Sequence, residues 1–169
     1  MPATETAQLA ANVLASAQAQ GLRLAVAESL TGGMVSAALT AQAGASKVFL
    51  GGVVAYQNEV KADSLGVSQD LLDTDGPISA SVASQMSLGV RNSLGRQCRV
   101  DESLVVGLAT TGLAGPESIG GKPVGLVYVS LTAKDLAVVR ELNLGGNREQ
   151  IREQAARAVF ELFLEQFPL

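Results

Sequence analysis

The stretch LRLAVAESLTGG, residues 22–33, begins as a strand and ends as a glycine pair that opens a helix. Residues 22–27 form a short apolar run of strand length, and an alanine-rich segment follows Gly32 and Gly33. A strand that passes through a glycine turn into a helix is the repeating unit of α/β folds. In such folds ligands sit beyond the carboxyl ends of strands, which puts Glu28, Ser29 and Thr31 where working groups are found. Ser29 has three roles open to it: nucleophile, phosphate ligand, or cap of the helix that follows.

The pattern continues on both sides. Upstream, residues 6–20 form a helix with Leu9, Val13 and Leu14 as its apolar stripe and Gly21 as its stop. Downstream, residues 32–43 read as a helix with Val35 and Leu39 on one face, and 48–55 as a second strand. Residues 57–75 read as one or two short helices ended by DTDGP. A long helix over 80–95 is capped by Ser79 or Ser81. A third strand, 103–110, leads through the loop TGLAGPESIGGKP into a strand at 124–132. AKD at 133–135 reads as a hairpin turn into a last strand at 136–142. The chain closes with an amphipathic helix that turns Ile151, Ala155, Val159 and Phe160 inward. The order α β α β α α β β β α predicts an α/β protein with a mixed sheet covered on both faces. No repeat or linker interrupts it, so residues 1–169 read as a single domain. The loops expected at the ligand edge are 28–33, 55–61 and 110–123.

Composition narrows the chemistry. With 47% hydrophobic and 17% charged residues the chain is of the globular kind. A net charge of −4 argues against a general nucleic-acid surface but leaves room for a small anionic ligand. The one cysteine, Cys98, excludes an internal disulfide; it lies between Arg96 and Arg99 and reads as structural. The start of the chain carries no basic, apolar leader, and the longest apolar run, 48–56, is too short to span a bilayer. The expectation is a cytoplasmic protein without a membrane partner.

The chain has no histidine. That removes Ser-His-Asp and Cys-His catalysis and histidine-based zinc sites, and one cysteine makes no thiolate cage. If Ser29 attacks a substrate, its base is Lys, Tyr, Asp or Glu, and a Ser–Lys pair leads. The four lysines are Lys47, Lys61, Lys122 and Lys134. Lys61 lies in AYQNEVK, residues 55–61, where Tyr56 ends the second strand and Asn58 is placed to cap the helix carrying Lys61. A lysine in a dry site loses basicity and becomes a usable base. The ordinary alternative is a solvated lysine paired with Glu59 or Asp63. The N–H groups following Gly32 and Gly33 are expected to serve an anion or an oxyanion. Glu28, which would repel an anion, is expected to bind a sugar hydroxyl or a loop amide.

In the 110–123 loop, GPESIGGKP imitates a phosphate-binding loop, but its spacing is wrong and Pro123 stands where Ser or Thr is required. The loop's glycines suit a close backbone approach to a flat or charged ligand, with Thr110 or Thr111 adding a hydroxyl. Arg148 and Arg152 crowd the positive end of the last helix, which suits either a bound anion or pairing with nearby acids.

Six segments, in order, resemble the C-terminal domain of the competence/damage-inducible CinA family. They are AESLTGG (27–33), AYQNEVK (55–61), GVSQDLLDTDGPIS (66–79), TGLAGP (111–116), KPVGLVY (122–128) and GGNREQIR (145–152). The likeness is to the family's stand-alone form, nicotinamide-nucleotide amidohydrolase. The resemblance implies a three-layer α/β/α fold whose five-stranded sheet is mixed, mostly parallel, and contains an antiparallel hairpin. It implies hydrolysis of the carboxamide of nicotinamide mononucleotide to nicotinic acid mononucleotide and ammonia, without metal or cofactor. Ser29 would be the nucleophile, Lys61 its base and Tyr56 an assistant. Thr31, Gly32 and Gly33 would lie beside them, and Thr110, Thr111, Gly112 and Gly115 would approach the pyridine nucleotide. Phosphate binding by Arg148 rests on the charge pattern. Family members are commonly oligomeric, which implies a homo-oligomer. Leu30 replaces a cysteine found in many members, and the larger N-terminal domain of full-length members, with its activity, is expected to be absent. The rival reading is a nucleotide-binding or regulatory module without turnover.

Overall fold

The computed structural model describes residues 4–169. Five strands are ordered β2-β1-β3-β4-β5: β1 Arg23–Glu28, β2 Phe49–Val54, β3 Val105–Gly112, β4 Leu126–Ala133 and β5 Leu136–Asn143. β1 pairs in parallel with β2 and β3, whereas β3–β4 and β4–β5 are antiparallel. Only β4 therefore runs against the other strands, and the sheet is mixed as expected.

Six α-helices cover it: α1 Glu5–Ala19, α2 Met34–Thr40, α3 Asn58–Leu65, α4 Gln69–Thr74, α5 Ala80–Gln97 and α6 Arg148–Gln166. The two-residue periodicity of the strands sorts the layers. Leu24 and Val26 of β1, Val106 and Leu108 of β3, and Val127, Val129 and Leu131 of β4 face α1, α2 and α6. The opposite set, Ala25, Ala27, Val105 and Ala109, faces α3, α4 and α5. Among the described residues no helix is long and apolar enough to cross a membrane.

The α5 face of the sheet is built from small residues, and that sets how closely α5 lies. A Cβ on Gly107 would stand 2.0 Å from the Ser87 carbonyl oxygen. The helix thus rests directly on the β3 backbone. Its polar groups are satisfied there: Ser87 Oγ is 2.6 Å from Ser130 Oγ and 2.7 Å from Thr132 Oγ1. Arg91 Nε donates to the Val105 carbonyl at 3.0 Å.

Several boundaries differ from the sequence reading, each for a local reason. β3 continues through Thr111 and Gly112, which the sequence assigns to the loop, because β4 goes on pairing after β1 has ended at Glu28 opposite Thr110. α2 starts at Met34, since Gly32 and Gly33 hold left-handed φ of 58° and 103°. β2 ends at Val54, so Tyr56 belongs to the following loop. Asn58 is the first residue of α3 and not its cap; Gln57 takes that position without a side-chain bond. Ser79 caps α5, and Asn147 forms a reciprocal capping box with Gln150 on α6.

Because Gly107 touches helix backbone rather than a movable side chain, Gly107→Ala is expected to cost about 3 kcal/mol or more. A lowered denaturation midpoint in urea checks this; an unchanged midpoint would show that α5 can lift from the sheet freely.

Candidate active site

The carboxyl ends of β1 and β3, the β2–α3 loop and the start of α6 meet at a cleft of about 560 Å³. Ser29, Lys61, Tyr56, Thr111, Gly115 and Arg148 are among its lining residues. Gly112 also lines it, whereas Thr31, Gly32, Gly33 and Thr110 do not.

At its centre Lys61 Nζ stands 3.1 Å from Ser29 Oγ. The two residues come from different layers: Ser29 follows β1 directly, and α3 delivers Lys61 from the other side of the β2–α3 loop. Lys61 is 1% exposed and heads the fully buried side chains by size. None of the ion pairs of the described residues involves it, so the pairing with Glu59 or Asp63 weighed from sequence does not form. Nζ instead donates to the carbonyls of Ala55 at 2.8 Å and Tyr56 at 3.2 Å. Burial lowers its pKa from the ordinary lysine value to about 8. A neutral amine has two hydrogens and one lone pair. Two of the three partners are carbonyls, which only accept, so the lone pair is left for the one partner that can donate, the Ser29 hydroxyl.

Ser29 does not cap α2. That work falls to Glu28, which is fully buried. Its Oε2 accepts from the N–H of Gly33 at 2.9 Å and of Val35 at 3.1 Å. Its Oε1 accepts from the N–H of Ser36 at 2.9 Å and from the Ser36 hydroxyl at 2.7 Å. Of the two partners expected for Glu28, the loop amide is the one observed. The same bonds overturn the expectation of free N–H groups after the glycines. Gly33 N–H is committed to Glu28, Gly32 N–H to the Ser29 carbonyl at 3.1 Å, and Met34 N–H to the Thr31 carbonyl at 3.2 Å. In residues 29–36 only Leu30 and Thr31 have backbone N–H groups outside the hydrogen bonds of the described residues.

The threonines brace the site from behind. Thr31 Oγ1 and Thr110 Oγ1 lie 2.8 Å apart, both fully buried, and tie the Ser29 turn to β3. Thr111 Oγ1 donates to the Pro77 carbonyl at 2.7 Å, fixing the segment before α5 against the cleft. Lys122 Nζ holds the same segment through the carbonyls of Asp75, at 2.6 Å, and Ile78. The lysine of the false phosphate loop is thus a clamp, and no motif spacing announces it.

Of the three arginines of α6, Arg157 pairs with Glu5, whereas Arg148 and Arg152 are in none of the ion pairs of the described residues. Arg148 Nη1 donates to the Gly115 carbonyl at 2.6 Å, and Nη2 to the Tyr56 hydroxyl at 3.2 Å, at the rim of the cleft. Arg152 Nε donates to the Leu30 carbonyl at 2.9 Å, and Nη2 to the Thr31 carbonyl at 3.0 Å. Tyr56 is 54% exposed and lines the cleft. A larger groove of about 730 Å³ runs along α1 and α6, past Thr4, Gln150 and Arg157, and brings no nucleophile and base together. Cys98 is the exposed C-cap of α5, outside the cleft. Among the described residues no three His, Cys, Asp or Glu side chains gather as metal ligands would.

Residues 6–167 match the family described as CinA C-terminal domain. A CinA-like protein of Frankia casuarinae is 44% identical over 139 residues, covering 82% of this chain and 30% of that protein. A putative competence-damage inducible protein of Desulforamulus reducens is 44% identical over 142 residues, covering 84% of this chain and 33% of that protein. The chain thus spans about a third of the length of these relatives. Two crystal structures superpose over nearly the whole chain. One is the competence/damage inducible protein CihA of Agrobacterium tumefaciens, with TM-score 0.86, 33% identity and coverage of 98% of this chain and 97% of that one. The other is a CinA superfamily protein of Klebsiella pneumoniae, with TM-score 0.87, 29% identity and coverage of 97% and 98%.

Glu28→Gln removes the charge from an acceptor of four hydrogen bonds and sets an NH2 group against two of those donors in a buried place. It is expected to lower unfolding free energy by at least about 2 kcal/mol. Thermal and urea denaturation measure it; an unchanged midpoint would mean that α2 does not depend on this cap.

Proposed function

The chain belongs to the CinA C-terminal domain family, and on that premise we propose that it is an amidohydrolase acting on nicotinamide mononucleotide. The products are nicotinic acid mononucleotide and ammonia, and the reaction is metal-free Ser/Lys chemistry. The observation that carries this reading is the buried Lys61 amine, which has two carbonyls and the Ser29 hydroxyl as its partners. Amide hydrolysis needs a nucleophile, a base and donors for an oxyanion, and each has a candidate at the cleft.

Neutral Lys61 takes the Ser29 proton as Oγ attacks the carboxamide carbon. The carbonyl oxygen becomes an oxyanion and is met by backbone N–H groups. Lys61, now an ammonium, gives its proton to the amide nitrogen, the C–N bond breaks and ammonia leaves. Ser29 is then esterified by the nicotinoyl group. Water attacks that ester while Lys61 takes its proton, and the proton returns to Ser29 Oγ as the acid departs. Tyr56 contributes twice: its carbonyl holds the Lys61 amine, and its ring, tethered to Arg148, lines the approach. Arg148 spends two donors on protein and has others to offer a phosphate at the rim.

Purified protein incubated with nicotinamide mononucleotide should release ammonia, and Ser29→Ala should lower kcat by at least about a thousandfold. Retention of full activity by Ser29→Ala would remove the nucleophile assignment. Binding without ammonia release would favour a nucleotide-binding module instead. Only neutral Lys61 accepts the proton, so kcat/KM should fall about tenfold per pH unit below about 8 and level off above it. A profile flat from pH 6 to 9 would exclude Lys61 as the base.

Arg148→Ala should raise KM for the mononucleotide about tenfold or more while leaving KM for the riboside, which has no phosphate, within about twofold. Equal losses on both substrates would place the phosphate elsewhere.

A further inference from the structure

We infer that Arg152 is a positioning residue that sets the oxyanion donors of the Ser29 turn; this rests on Ser29 being the nucleophile. Arg152 stands in the N-terminal half of α6, where the helix dipole disfavours a cation, and none of the ion pairs of the described residues includes it. Its partners are two consecutive carbonyls, Leu30 at 2.9 Å and Thr31 at 3.0 Å, one and two residues past Ser29.

A trans peptide is planar, and its C=O and N–H point in opposite directions. Holding the Leu30 carbonyl therefore turns the Thr31 N–H away from Arg152. The Thr31 carbonyl shares its peptide with the Gly32 N–H, which donates to the Ser29 carbonyl at 3.1 Å, so holding the Thr31 carbonyl also fixes the direction of the Leu30 N–H, and Leu30 lines the cleft. These two N–H groups are the ones left uncommitted between Ser29 and Ser36. Successive free N–H groups make an anion-binding concavity, and the residue after a nucleophile is a common oxyanion donor. A cation on the carbonyl also polarises its amide, which makes the Thr31 N–H a stronger donor. The turn is shaped to admit the guanidinium: Gly32 has φ of 58°, and a Cβ there would lie 3.3 Å from Arg152 Nη2.

The test compares wild type with Arg152→Gln and Arg152→Lys. Ammonia release from nicotinamide mononucleotide gives kcat, KM and the pH profile, and labelling of Ser29 by a fluorophosphonate gives a rate independent of that substrate. Arg152→Gln should lower kcat roughly 30- to 300-fold. KM should stay within about threefold, the acid limb should not move, and the labelling rate should fall in parallel. Arg152→Lys, which keeps the charge but loses the planar fork, should fall less, roughly 5- to 30-fold. Wild-type kcat and labelling in either variant overturn the assignment. So does a loss that appears mainly in KM or that shifts the acid limb, which would mark general collapse of the cleft. If Arg152→Gln does not fold, Arg152→Lys decides; if neither folds, Arg152 is a structural tether and the assignment fails. A wild type that is labelled at Ser29 but releases no ammonia defeats the proposed substrate alone, and the labelling rates still decide Arg152. A wild type inert in both assays removes the nucleophile and the role of Arg152 with it.

Discussion

Burying the Lys61 amine beside Ser29 costs free energy in its charged form, and no carboxylate offsets that cost. The fold meets this cost with geometry. The Ala55 and Tyr56 carbonyls receive the amine because the chain leaves β2 after Val54 and turns before α3 begins. Desolvation brings the amine toward neutrality, and the carbonyls fix where its hydrogens point. A carboxylate in their place would stabilise the ammonium and keep the amine charged. Glu59 and Asp63, close in sequence, would have that effect if they reached Lys61. The α3 helix carries them on exposed positions instead.

A second buried charge, Glu28, lies directly before Ser29 and has a structural task. Its carboxylate closes the N-terminus of α2, so the turn between Glu28 and Met34 is held at both ends. Arg152 holds the middle of that turn from α6, and the Thr31–Thr110 pair holds it against β3. The Ser29 turn is therefore braced from three elements that belong to different parts of the chain. Preorganisation of this kind matters for an oxyanion site, because donors already in place need no reorganisation as charge develops.

The succession of strands and helices, and a mixed sheet covered on both faces, were legible in the sequence, because strand runs and helical stripes are local signals; the order of strands across the sheet was not. Ser29 and Lys61 were legible as a pair for a chemical reason: without histidine, few bases remain, and both residues follow strand ends. What local reading missed was decided by partners far along the chain. Whether Gly33 N–H is free depends on a neighbouring carboxylate turning back onto it, and spacing does not encode that turn. β3 runs on to Gly112 because β4 pairs with it, not because Thr111 or Gly112 favours a strand. Lys122 sits in a motif-like loop but serves the carbonyls of a segment over forty residues earlier.

Arg148 and Arg152 of α6 show the same limit from another side. Four residues apart, they lie on one face, and their charge at a helix start suggested either a bound anion or pairing with nearby acids. The structure divides them. Arg148, at the first helical position, reaches outward to Tyr56 and Gly115 on the rim. Arg152, one turn deeper, reaches beneath the Ser29 turn. One helix thus ties down both the rim of the cleft and the Ser29 turn, through side chains one turn of α6 apart. An anionic group held at the rim would then place the rest of the ligand at a fixed reach from Ser29. The capping box of Asn147 and Gln150 secures that helix start, and with it the spacing of the whole site.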